Sequence, residues 1–377
     1  VGLSEVWNEP LRDHSPHFYG FASDGERVFA LRKNMDDLGS NTVPDAAESD
    51  AELFAYDGAT GKPLWHTTLP WIENAVPVAG EGIVVIPSGQ QDVDDPDFTG
   101  VPAEYVAFDS VTGAERWRKQ VTRRAEYPLT EYGAGNEPGA FLDGVFYYAD
   151  GGSVFGVDPT TGEVRHEVTS TKNVVFAGPV VAGGRIAVLA GPPFDPDADE
   201  DAGDPYTRSA YMFAPDLQSQ VGADFPRYAT PNTLAASGEV LVSSDGGIMW
   251  ATDARNGNGL WSIELPDLSG PVGVLGKVVV VLDAQDNLQH KAIGYDLLTG
   301  KQVWTAAPPN DGPLESDSLN VGIADGTVFG LTHGISIIDG ATGEIVSRHS
   351  TNRGGGLVVE AAGHIVIYNQ DGITGFE

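Results

Sequence analysis

Ala55-Tyr56-Asp57-Gly58-Ala59-Thr60-Gly61-Lys62-Pro63-Leu64-Trp65 decides how this chain is read. It is a strand ending on Asp57, a turn through Thr60-Gly61, and a second strand that reaches Trp65. Asp and Thr side chains hydrogen-bond backbone amides of a turn, and glycine supplies its positive φ. The same spacing returns at Asp109, Thr112, Gly113 and Trp117, and at Asp296, Thr299, Gly300 and Trp304. Asp253 and Trp261 keep the ends, with Asn256-Gly257 between them. Asp158, Thr161 and Gly162 keep the turn with His166 at the Trp position, and Asp339, Thr342 and Gly343 do so with Ser347. A worn seventh copy starts at Phe213-Ala214-Pro215, with Pro215 at the Asp position and Ala223 at the Trp position.

A second signal runs between these copies. Apolar strands flank a turn glycine at Gly25, Gly82, Gly144, Gly184, Gly238, Gly276, Gly326 and Gly363. The last hairpin continues through Ile373-Thr374-Gly375-Phe376-Glu377 without a Trp strand, and Ser4-Glu5-Val6-Trp7 supplies one from the other end. Four short strands cannot bury both faces of one sheet, but sheets stacked around an axis can. The expected fold is all-β: an eight-bladed β-propeller of four-stranded antiparallel blades. One domain over residues 1–377 has its last blade closed by the N-terminal strand.

Composition limits the function. The chain has 54 acidic and 21 basic residues, a formal net charge of −33. That charge repels phosphate backbones and anionic lipid, so no nucleic-acid partner is expected. With no cysteine, disulfides, thiol nucleophiles and Cys-ligated metals are excluded. No segment approaches the ~20 apolar residues of a membrane-spanning helix. Residue 1 is Val, and the chain reads as the trimmed form of an exported bacterial protein, secreted or anchored by a segment outside this sequence.

Ala-x-Asp-x-x-Thr-Gly-x-x-x-Trp, as it stands at 55–65, resembles the tryptophan-docking motif of pyrroloquinoline-quinone-type propellers. That family includes quinoprotein alcohol dehydrogenases, the outer-membrane assembly lipoprotein BamB and sensor domains of bacterial Ser/Thr kinases. The resemblance spans essentially the whole chain and implies the fold. The motif residues are scaffold, shared by enzymes and non-enzymes. Many of the dehydrogenases stack their quinone on a disulfide of adjacent cysteines, which this chain cannot form, and no Glu/Asn/Asp set for a quinone-bound calcium is assignable. Pyrroloquinoline quinone is not an expected cofactor. In size the chain is similar to the BamB-like, non-enzymatic branch.

Three connections between second and third strands are long and acidic, at 34–49, 90–101 and 192–207. In the usual propeller path they share a rim with the connections between blades. Asp195, Asp197, Asp199 and Asp201 alternate as the oxygen ligands of a calcium loop do. Gly203 sits one place late for that motif, however, and Arg208 stands where a closing Glu belongs. Calcium and a solvated acidic loop are the two readings. Asp92, Asp94 and Asp97, with Tyr127 and Tyr132 on the same rim, are candidates for contact with a partner. No nucleophile elbow, phosphate loop or HExxH helix appears.

The sequence thus points to a monomeric, exported scaffold that binds a protein or peptide through one acidic, loop-rich face. A ligand-sensing ectodomain of a receptor kinase is the first alternative. A quinone-dependent dehydrogenase or another calcium-assisted enzyme is the second.

Overall fold

The computed structural model describes residues 4–10, 16–34, 51–69, 76–88, 104–121, 139–172, 174–191, 209–223, 233–244, 247–265, 270–283, 291–306, 320–324, 327–331, 335–349, 357–369 and 372–377. These residues are all β, with no helix among them. They form eight four-stranded antiparallel sheets. The first contains Pro16–Ser23, Arg27–Asn34, Ala51–Asp57 and Pro63–Leu69 in sequence order. The second to seventh follow the same meander over residues 78–120, 140–169, 175–223, 233–264, 270–306 and 320–349.

The eighth sheet differs in connectivity. Leu357–Ala361, His364–Asn369 and Gly372–Phe376 are completed by Glu5–Pro10, which pairs antiparallel with Gly372–Phe376. Ser4 and Glu377 exchange both backbone hydrogen bonds at 3.0 Å. The strand carrying Trp7 therefore takes the place that the repeat leaves empty, as the sequence expects.

Each sheet alternates apolar side chains to its two faces, and each face packs on a neighbour. Phe29, Leu31 and Leu53 of the first sheet meet Val84, Ile86 and Val106 of the second. Tyr147 and Val154 of the third meet Ile186 and Val188 of the fourth. Val366 and Tyr368 of the eighth return to Val28 and Ala30 of the first. This radial stacking of four-stranded sheets is a β-propeller.

The turn glycines do what the pattern predicts. Gly25, Gly82, Gly144, Gly184, Gly238, Gly276 and Gly363 all have positive φ; Gly326 lies outside the described residues. Connections between first and second strands, and between third and fourth, are short and sit at one end of the sheets. Strands leave the opposite end toward the longer segments 35–50, 89–103, 122–138, 192–208 and 307–319.

The fourth sheet corrects the sequence reading. Ala214, not Pro215, holds the Asp position: its N–H donates to Ser219 O at 2.8 Å, as Asp57 N–H donates to Lys62 O at 2.9 Å. Its outer strand, Gln220–Ala223, pairs in unbroken register, with Met212 opposite Val221. The other seven outer strands contain a register shift beside the docking position. Each shift admits one extra residue, a β-bulge. The fourth sheet lacks that residue, so Val221 rather than Ala223 takes the Trp place.

Candidate functional site: docked junctions and the rim they carry

Five tryptophans each build one junction between sheets. Trp7, Trp65, Trp117, Trp261 and Trp304 donate from Nε1 to the backbone oxygens of Gly58, Ser110, Pro159, Leu297 and Gly340, at 2.7–3.2 Å. Every acceptor follows the motif Asp of the next sheet. The indole then lies on that turn's glycine. A Cβ on Gly113, Gly162, Gly300 or Gly343 would stand 2.6–2.7 Å from the ring of Trp65, Trp117, Trp261 or Trp304. Glycine is thus required twice, by positive φ and by the indole.

Room for the indole is also made within its own sheet. Trp65, Trp117 and Trp261 lie opposite Ala55, Ala107 and Ala251, and Trp304 and Trp7 lie opposite Gly294 and Gly375. Where the partner is the large Ile337, the docking position holds Ser347.

The third junction reaches the same end by other residues. His166 has no indole to offer, and the hydroxyl of Tyr147, on another strand of the same sheet, donates to Pro215 O at 2.7 Å. That oxygen is the equivalent of Gly58 O. The positive φ of this turn falls one place earlier than the glycine of the other copies, on Leu217 at 58°, which is buried beside Tyr147 and Phe213. Burial pushes the Tyr147 phenol up from its ordinary range, with Asp143 and Asp216 adding to the effect.

The motif carboxylates hold the turns. Oδ1 of Asp57, Asp109, Asp296 and Asp339 accepts from both the N–H and the hydroxyl of the Thr three residues on. Arg116 pairs with Asp109, Arg165 with Asp158, and Arg255 with Asp253. The Arg116 hydrogen bond to Asp109 holds that carboxyl down at about 2, and Arg255 does the same to Asp253. These shifted carboxylates have structural partners, and the described geometry assigns them to the turns.

Asp195, Asp197, Asp199 and Asp201, Asp92, Asp94 and Asp97, and Tyr127 and Tyr132 all lie outside the described residues. Trp250, off the motif, is a core residue, 4% exposed, opposite Ser243. Among the described residues no group of three or more His, Asp or Glu is placed to hold a metal ion. Sequence reasoning missed Tyr147, Leu217 and the bulge residues. The bulge was encoded in the constant eight-residue step from Asp to Trp; Tyr147 carried no local signal.

The fold and its junctions define a propeller whose sheets are locked by tryptophan docking. The chain matches the family model described as outer membrane protein assembly factor BamB over residues 4–192 and 214–369. It belongs to that family. No curated protein matches it. Among solved structures it is similar to BamB from Moraxella catarrhalis, at 13% identity and a TM-score of 0.56, over 100% of this chain and 97% of that one.

Proposed function

We propose that this chain is a single eight-bladed, extracytoplasmic ring that binds a protein or peptide partner through its acidic rim and carries out no chemistry of its own. The observation that carries this reading is the division of labour in the fold. The motif Asp, Thr, Gly and Trp side chains are spent on turns and junctions, and the chain's length is spent on segments leaving one end. Binding residues concentrate on connections held by a rigid frame. The acidic run from Asp195 to Asp204 falls between the two stretches that match the family, 4–192 and 214–369. A net charge of −33 favours a basic partner,.

Membership in a family described as an assembly factor is in keeping with a protein partner and an envelope location. The test replaces Asp195, Asp197, Asp199 and Asp201 together with Asn. Partner affinity should fall and its salt dependence should flatten, with the melting temperature unchanged. Unaltered affinity and salt slope would remove the acidic rim from the interface.

A further inference from the structure

An outer strand of a propeller sheet has a free edge, a row of N–H and C=O groups that another chain can pair with. Bulges, charged side chains and proline are the usual protection. Seven outer strands here have the bulge, filled by Val6, Leu64, Arg116, Arg165, Leu260, Val303 and Val346. Gln220–Ala223 has no bulge, no charged residue and no proline. Pro63–Leu69 and Gln302–Ala306 also lack charge, but both keep the bulge, and the first opens on Pro63.

Register defines what this edge offers. Ala214 N–H donates to Ser219 O at the mouth of the hairpin. Antiparallel alternation then makes Met212–Val221 and Ala210–Ala223 hydrogen-bonded pairs, and the N–H and C=O of Gln220 and Gly222 face off the edge,. Gln220 and Gly222 are exposed, and a Cβ on Gly222 would meet nothing within 4 Å. Gly222 O lies beside Gly257 of the fifth sheet, so the open part of the edge is the Gln220 side and the Gly222 N–H.

We infer that Gln220–Ala223 is a strand-addition site that takes an extended, basic segment of another protein. The occupant is set by charge. At −33, edge-to-edge pairing of two copies brings like charges together, whereas a lysine-bearing strand is attracted,. This surface lies on the circumference of the ring, apart from the rim proposed above, and the two readings fail separately.

The probe is a short peptide of alternating lysine and valine, titrated into the full chain, with amide hydrogen exchange read residue by residue. Binding should slow exchange at Gln220 and Gly222 while leaving the outer strands Pro63–Leu69 and Gln302–Ala306 unchanged. N-methylation of alternate peptide residues keeps the charge, removes the pairing donors and should weaken binding about tenfold. Gln220→Pro removes one edge N–H and should do the same at an unchanged melting temperature. Equal binding by the methylated peptide, uniform protection of all outer strands, no binding at all, or a dimer paired through Gln220–Ala223 would each overturn the inference. The methylated-peptide comparison stands even if the proline variant does not fold.

Discussion

The hydroxyl of Tyr147 bonds the backbone oxygen of Pro215 across the third junction, where five other junctions use the indole of a tryptophan. The acceptor is the same atom of the same turn in all six. At these six junctions the turn oxygen receives a side-chain donor, and the residue that supplies it can change strand.

Tyr147→Phe therefore removes one buried donor and keeps the ring's volume. Tyr147 is 1% exposed and Pro215 half-buried, so water replaces the lost donor only in part. A loss of about 1–2 kcal/mol is expected in denaturant unfolding. His166→Ala should cost less, since no hydrogen bond of this junction passes through it. A Tyr147→Phe variant as stable as the parent would remove the hydroxyl from the account.

Two glycine substitutions separate backbone strain from the docking contact. Gly144 has φ of 72° and open space around its Cβ position. Gly144→Ala should cost about 1 kcal/mol, the left-handed conformation alone. Gly343 also has φ of 72°, but a Cβ there would stand 2.7 Å from Trp304. Gly343→Ala should cost about 2–3 kcal/mol, and Trp304→Ala about 3–5 kcal/mol. Equal costs at Gly144 and Gly343 would argue against indole docking as a structural constraint.

Acid should loosen the turns. Arg116 and Thr112 hold the Asp109 carboxyl at about 2, against an ordinary 3.8, and Asp253 is held at about 2 by Arg255. A carboxylate depressed on folding contributes stability that is full above its unfolded value and lost as pH falls through its folded value. The melting temperature should fall between pH 3.8 and about 2. Asp109→Asn should be less stable than the parent at neutral pH, and the gap should close across that window. A constant gap would mean that the charge of Asp109 does not matter.

Calcium distinguishes the two readings of the run from Asp195 to Asp201. An ion held by Asp195, Asp197, Asp199 and Asp201 would raise the melting temperature with calcium concentration, and Asp197→Asn would abolish the rise. A flat response assigns these carboxylates to solvent.

Much of the frame was legible because it is local. Asp109, Thr112 and Gly113 make their turn with each other, and Trp117 follows at a distance that the bulge keeps constant. The eight sheets and the pairing of Glu5–Pro10 with Gly372–Phe376 followed from counting such turns. The fourth sheet was misread because one residue is missing between Ala214 and Val221, and the step that locates the docking residue is lost with it. Tyr147 was invisible for another reason: its partner Pro215 is 68 residues away, and the substitution is in a different strand from the one it compensates. The rim candidates were chosen by charge and connection length, neither of which specifies where a side chain points.

The central claim is that a partner binds at the rim. Photo-crosslinking side chains placed singly at Asp37, Asp94 and Asp199, and on the tight-turn face at Asp24, Asp143 and Glu239, test it most directly in cells. The account predicts crosslinks to a common basic protein from the first three positions and none from the last three. Crosslinks confined to Asp24, Asp143 and Glu239 would contradict it.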